Sequence, residues 1–423
     1  MKLIVNKSKI SGSVQIPGSK SHTIRAVAIA SLADGTSIIR KPLVSADTLA
    51  SVNAYRLLGA DIELDEDWVI KGFSGYPCVP ENVIDVGNSG TTLYIAMAAA
   101  ALGGSTTVLT GDSQIVKRPA APLIGALNLM GAQVRSTRRN GMPPIIIEGR
   151  ASGGSLDLDG SKTSQYLTAL LINCPMMDYP SEINVTNLVE KPYIEMTLDW
   201  IRSCGVEINH QDFEIFDIPG NQTYLPFDKN IPADYSSAAF FMCQAAINDQ
   251  KVKLKGLDPK DTQGDKAVAD MLRLMGASVE YTDDGLSISG GNLKGVELDL
   301  ADTPDALPAL AVTACFAEGE TRLVNVAQAR LKETDRISVM AKELKKMGAD
   351  ISELADGLVI RGSKLNGAQV DGNLDHRVIM ALAVAGSNIE GKTTITSADA
   401  LDVTFPTFVE LMNSLGADIS TAF

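Results

Sequence analysis

The chain has 423 residues, 45% hydrophobic and 21% charged, with a formal net charge of −14. This is the composition of a globular protein of two or three domains, and its acidity argues against a general nucleic-acid or membrane binder, which would carry a basic face. Five cysteines with no CxxC pair suit small buried hydrophobes of a reducing compartment, and three histidines without ligand spacing give no reason to expect a metal.

In chain order, the opening MKLIVNKSKISGS lacks the apolar core of a signal peptide, which implies a cytoplasmic protein. PGSKSHTIR (17–25) follows, a Pro-Gly break and then a helix start near Ser19 that carries Lys20 and Arg25, running on into AVAIASLADG. A helix rich in small apolar residues on every side is a buried one. Five more of this kind follow, over 89–104, 162–174, 234–247, 304–319 and 375–386. The apolar run 93–104 inside the second is too short to span a bilayer. After each buried helix comes a short alternating strand: TSIIRKP, STTVLTG, SEINVTN, KVKLKG, TRLVNV and KTTITS. Later in each unit a second phrase recurs: LLGADIEL, LMGAQV, SCGVEI, LMGASVE, KMGADIS and SLGADIS. Its glycines, 59, 131, 205, 276, 348 and 416, are spaced 68 to 74 residues apart. The phrase reads as a helix end, a glycine cap in the left-handed conformation, and a strand. Six units of this kind predict an α/β protein of two domains with three units each, buried helices inside and sheets outside.

The starts of the buried helices are unusual. Lys20 and Arg25 open the first, GNSGTT (87–92) the second, DGSKTSQ (159–165) the third, and Asp234, Asp305 and Asp375-His376-Arg377 the last three. KRP (117–119) and RLKETDR (330–336) add cations at amphipathic helix starts, and an i,i+4 spacing would put Lys332 and Arg336 on one helix face. A cation at a helix N-terminus costs up to ~1 kcal/mol unless an anion is bound there. Together these sites point to anionic ligands. There is no GxxxxGK[ST], no GxGxxG after a first strand and no GxSxG, so nucleotide cofactors and a serine nucleophile are not suggested. Carboxylates beside cations, Asp47, Asp305 and Glu333, suit proton transfer on an anionic substrate without metal or cofactor.

PGSKSHTIR, GNSGT, TGD…KRP, DGSKTSQ, KPYIEMT, KETDR, DHR and FPTF, in this order, resemble the EPSP synthase (3-phosphoshikimate 1-carboxyvinyltransferase) family over essentially the whole chain. The resemblance implies a two-domain inside-out fold of six βαβαββ repeats. It puts residues 1–14 with 233–423 in one domain and 15–232 in the other, with hinges near 13–18 and 228–234 and the active site in the interdomain cleft. It implies transfer of the enolpyruvyl group of phosphoenolpyruvate to the 5-hydroxyl of shikimate 3-phosphate, by a monomer that needs no cofactor. Ser21, Arg25, Thr163, Ser164 and Tyr193 would hold shikimate 3-phosphate, with Lys20, Gln165, Asp305, Gln328 and Lys332 also touching it. Lys20, Gly90, Arg118, Gln165, Arg336 and Arg377 would hold phosphoenolpyruvate. Asp305 would accept the hydroxyl proton, Lys332 would bridge both substrates and Glu333 would serve the C3 proton. Lys20 would act in catalysis, and Asp47, Asn88 and His376 would support the site. Gly90 leads to an expectation of inhibition by glyphosate.

Four residues depart from the family pattern. Glu190 stands where many members have serine and would repel the phosphate unless Lys191 screens it. Gln328 replaces an asparagine, Val403 a lysine and Tyr94 an arginine. Two rivals are the UDP-N-acetylglucosamine enolpyruvyl transferases and, from another class, a clamp-like DNA-binding ring. The first usually has an asparagine where this chain has Ser21 and a cysteine before the Arg-Pro pair, whereas here no cysteine lies between 78 and 174. A clamp has no reason to gather acids and bases in KETDR and DHR.

Overall fold

The computed structural model describes residues 1–422. The described residues form twelve α-helices: α1 (Lys20–Leu32), α2 (Ala46–Leu57), α3 (Gly90–Ala100), α4 (Ala121–Leu129), α5 (Gln165–Asn173), α6 (Lys191–Ser203), α7 (Tyr235–Ile247), α8 (Ala267–Met275), α9 (Leu307–Cys315), α10 (Arg336–Lys346), α11 (His376–Ser387) and α12 (Phe408–Ser414). The odd-numbered helices are the buried ones; α7 and α11 have almost no exposed residue. The even-numbered helices bury one face and end in the recurrent phrase. All six of its glycines take positive φ, between 81° and 110°. That conformation is cheap only for glycine, and it turns each helix end toward the following strand.

Six four-stranded sheets share one topology. In the sheet of Gly154–Asp159, Ser181–Thr186, Asn209–Gln211 and Ile215–Ile218, the first two strands are parallel, and the last strand inserts between the second and third. Two sheets depart in chain order. The sheet of Thr36–Arg40 takes its first strand from Asp228–Asn230, and the sheet of Thr393–Thr396 takes its last from Lys2–Asn6. Gly12–Gln15 pairs in parallel with Val252–Lys255, so the chain starts a sheet, leaves it for more than two hundred residues and returns to it.

The chain divides into two compact units. One contains Gly18–Ile231, and the other Met1–Pro17 with the residues from Pro232 onward. The first crossing comes a few residues after 14 because pairing continues through Gln15, opposite Lys255, and the Ile16 amide still donates to Lys255. Each unit has its own core, lined by its three buried helices and the inner faces of its sheets. Four cysteines lie in these cores, but Cys78 is exposed, against the expectation from sequence, because it sits in an irregular link packed on Gly59. Burial pushes the Cys174, Cys243 and Cys315 thiols up to about 12. Among the described residues no helix is long and apolar enough to cross a membrane.

Candidate active site

In the Gly18–Ile231 unit, α1 begins at Lys20 directly after Ser19, and the Lys20 ammonium lies 3.0 Å from Asp47 in the first turn of α2. One turn along α1, Arg25 is 2% exposed. Its guanidinium donates to Thr197 Oγ1 (2.9 Å), Thr168 Oγ1 (3.4 Å) and the carbonyls of Ser21 (3.1 Å) and Tyr193 (3.2 Å). It also lies 5.9 Å from the centroid of the Tyr193 ring. All four acceptors are neutral, and burial lowers the Arg25 pKa to about 10. A buried cation without a counter-charge is expensive, and such a group is expected where an anion will be bound.

The starts of α3 and α5 meet in the same unit. Gly90 opens α3 after Ser89, whose hydroxyl accepts from the Thr92 amide. A β-carbon at Gly90 would lie 3.6 Å from Gln165 Oε1, so the two residues assigned to phosphoenolpyruvate are neighbours. Ser164 stands just before α5 without capping it, and Glu190 Oε2 accepts from the Ser164 hydroxyl (3.0 Å) and amide (3.3 Å) and from Thr163 Oγ1 (3.4 Å). Asn88 donates to Asp112 (2.7 Å) and Gln114 (2.6 Å), which ties the GNSGT turn to the segment leading to Arg118. Arg118 lies in an extended link ahead of α4. The hydroxyls of Tyr94 and Tyr166 both donate to the Pro119 carbonyl, at 2.8 and 2.6 Å, with their rings edge to face at 5.0 Å. Tyr94, which replaces an arginine, thus fixes the link that carries Arg118. His22 Nδ1 accepts from the Trp200 indole at 2.8 Å.

In the other unit, cations and carboxylates interlock. Asp305 occupies a 3-10 turn, Pro304–Ala306, just before α9. Its Oδ1 lies 2.7 Å from Arg336 Nη1 and 3.9 Å from Lys332 Nζ, and its Oδ2 lies 3.1 Å from Arg377 Nη2. Arg336 is 1% exposed and also contacts Asp375 (2.8 Å) and Glu333 (2.5 Å). Burial alone would raise the Asp305 pKa, but Arg377, Lys332 and Arg336 outweigh it and hold the carboxyl far below the usual range. Burial opposes charge on Arg336 as well, and Asp375, Glu333 and Asp305 overcome it, holding the guanidinium above its ordinary value. Asp375 caps α11 by accepting from the Arg377 amide at 2.9 Å, while its carboxylate clamps Arg336. His376 is buried in the first turn of α11.

Lys332 and Arg336 do not share a helix face. Asp335 caps α10 through the Ser338 amide, so the helix begins at Arg336 and Lys332 lies in the preceding extended segment. The shared Asp305 carboxylate brings the two cations together, not helical spacing. Gln328 is 4% exposed and its amide donates to the Ala301 carbonyl at 2.9 Å. Val403 ends a 3-10 segment, Ala398–Val403. Sequence reasoning gave no role to two members of the cluster: Asp375, read only as a helix start, and Asp265. The Asp375 signal was an acid opening a helix that is buried throughout. Asp265 accepts from Ser236 Oγ, which itself accepts from Arg377 Nη2 at 3.1 Å. Burial and the nearby Asp305 push the Asp265 carboxyl up to about 6, against the pull of Arg377 and Ser236. Among the described residues no group of three or more His, Cys, Asp or Glu is arranged to hold a metal ion.

A model of the EPSP synthase (3-phosphoshikimate 1-carboxyvinyltransferase) family matches residues 4–412. A 3-phosphoshikimate 1-carboxyvinyltransferase of Ruminiclostridium cellulolyticum is 54% identical over 420 residues, covering 99% of each chain. One from Acetivibrio thermocellus is 53% identical over 422 residues, covering 100% of both. An EPSP synthase structure from Acinetobacter baumannii superposes with a TM-score of 0.83 at 29% identity, covering 99% of this chain and 100% of that one.

Proposed function

The chain belongs to the EPSP synthase family, and from that premise we propose how its own residues carry out the family's reaction. The protein transfers the enolpyruvyl group of phosphoenolpyruvate to the 5-hydroxyl of shikimate 3-phosphate and releases phosphate. The hydroxyl oxygen adds to C2 while C3 gains a proton. Loss of a C3 proton and of phosphate then restores the double bond.

One observation carries the assignment of roles: three cations from two motifs, Lys332 and Arg336 of RLKETDR and Arg377 of DHR, converge on the single carboxylate of Asp305. In that company Asp305 is too weak a base to deprotonate an alcohol. Phosphoenolpyruvate supplies the remedy. Its carboxylate and phosphate engage Arg336 and Arg377 together with Lys20, Arg118, Gln165 and the backbone at Gly90. Once those cations are shared with substrate, less positive charge acts on Asp305 and its basicity rises toward the working range. Asp305 then takes the 5-hydroxyl proton. Glu333 serves C3, and Lys332 offsets the charge that builds between the two substrates. Arg336 spends four of its five N–H groups on Asp375, Glu333 and Asp305, and the second hydrogen of Nη1 is the one it offers to substrate.

Arg25, Ser21, Thr163, Ser164 and Tyr193 hold shikimate 3-phosphate, with Gln165 and Gln328 alongside. Buried Arg25, with only neutral acceptors, supports this most directly. Asp47 holds Lys20, while Asn88 and His376 brace the helix starts. The proposed ligands come from both units, so we assign catalysis to a closed state reached through hinges near 13–18 and 228–234; the unit boundaries at 17–18 and 231–232 support that placement. Small-angle scattering should report compaction when both substrates are present. Unpaired cysteines suit a reducing, cytoplasmic compartment, and the protein acts as a monomer, which light scattering checks.

Phosphate release from phosphoenolpyruvate tests the reading. Release with shikimate 3-phosphate, and none with UDP-N-acetylglucosamine, is expected; the reverse overturns it. Glyphosate should inhibit at millimolar concentration or below.

A further inference from the structure

Glu190 lies between the strand Ser181–Thr186 and α6, is 1% exposed, and has a φ of 58°. A long side chain rarely adopts that left-handed backbone, so something must hold it there. Its Oε2 collects three donors, the Ser164 hydroxyl, the Ser164 amide and the Thr163 hydroxyl. These donors belong to the two residues assigned above to shikimate 3-phosphate, and its phosphate is the group that would draw on them most strongly. One set of protons cannot serve two anions, and a phosphate dianion beside a buried carboxylate is repelled.

We infer that Glu190 is a built-in competitor of the substrate's phosphate. This rests on the assignment of Thr163 and Ser164 to shikimate 3-phosphate. With the site empty, the carboxylate keeps buried donors satisfied that would otherwise be left unpaired. When the phosphoryl group arrives, the carboxylate withdraws and the donors pass to the substrate. The same exchange reaches the rest of the site. The Tyr193 amide donates to the Glu190 carbonyl at 3.1 Å, and the Tyr193 carbonyl accepts from Arg25. Release of the carboxylate frees the left-handed turn that positions Tyr193 against Arg25. Shikimate 3-phosphate affinity is therefore the difference between two anions competing for one set of donors, and Glu190 lowers it.

Isothermal titration of the full chain without phosphoenolpyruvate tests this, with wild type, Glu190→Gln and Glu190→Ser, against shikimate 3-phosphate and against shikimate. Both variants should bind shikimate 3-phosphate at least about tenfold more tightly than wild type. Shikimate, which brings no phosphate, should gain nothing. In turnover, KM for shikimate 3-phosphate should fall while KM for phosphoenolpyruvate moves by less than about twofold. Unchanged or weaker shikimate 3-phosphate binding in the variants overturns the inference and makes Glu190 a brace for Thr163 and Ser164. The serine variant removes the long side chain altogether, so the test stands even where the amide packs badly; thermal unfolding of each variant identifies that case. A wild type that neither binds nor turns over shikimate 3-phosphate would instead remove the functional reading itself.

Discussion

Arg25 and Arg336 are buried to almost the same degree, 2% and 1% exposed, yet the company each keeps is opposite. Arg336 is held by three carboxylates, Asp305, Glu333 and Asp375. Arg25 is held by two threonine hydroxyls and two carbonyls. The first arrangement neutralises charge in advance and couples every member's proton affinity to its neighbours, as proton chemistry requires. The second orients a cation without neutralising it, so the charge remains for a ligand. The two units thus solve different problems with the same residue type: one tunes reactivity, the other keeps attraction in reserve.

The largest effect that would sharpen this contrast is at Lys332. Lys332→Ala should lower turnover by at least about a hundredfold, with circular dichroism unchanged; near-normal turnover would remove Lys332 from the mechanism. Next, Asp375→Asn removes the most buried of the three carboxylates on Arg336 and leaves the Lys332–Arg336–Arg377 cluster one negative charge short, and urea unfolding should show a loss of about 3–5 kcal/mol. A smaller penalty would mean that Arg336 is less dependent on its carboxylates than their distances imply. Arg25→Met should behave oppositely: affinity for shikimate 3-phosphate falls about a hundredfold or more, while the unfolding midpoint holds or rises. A clear drop in stability would show that the neutral acceptors around Arg25 are themselves a sufficient home for the charge. The smallest effect concerns Asp265. Its carboxyl titrates near 6 in the folded chain, above the usual range, so folding favours the protonated form. That stabilisation is fully present below about pH 4 and is lost as pH rises through 6. Asp265→Asn should therefore raise the midpoint by about 2 °C at pH 8 and by nothing measurable at pH 4. Differential scanning calorimetry at both pH values decides it.

Much of the fold was legible because local chemistry writes it. A glycine is needed wherever a helix ends in a left-handed cap, so the six phrases marked six real turns. Small residues on every side of a helix leave it nowhere to sit but inside. The exchanged strands were not legible: alternation says that Lys2–Asn6, Gly12–Gln15 and Asp228–Asn230 are extended, but not which sheet each joins. Within the site, spacing misled at Lys332, because Asp335 starts the helix later than the charge pattern suggests. Glu190 looked like a simple source of repulsion, whereas the fold gives its carboxylate three donors of its own. Asp375 showed in the sequence only as a helix start and Asp265 not at all, because their roles lie in contacts with Arg336 and Ser236 from distant segments.

Lys2–Asn6 pairs on one side with Thr393–Thr396 and on the other with Asp418–Ala422, opposite residues made some four hundred positions later. During synthesis that strand waits, its edges open, until its partners in 393–422 have emerged. The Gly18–Ile231 unit has no such wait, since every strand of its three sheets has emerged by residue 230. The Gly18–Ile231 unit can thus fold while Lys2–Asn6 is still looking for neighbours, and slow translation of the residues after 231 exposes that strand to wrong partners.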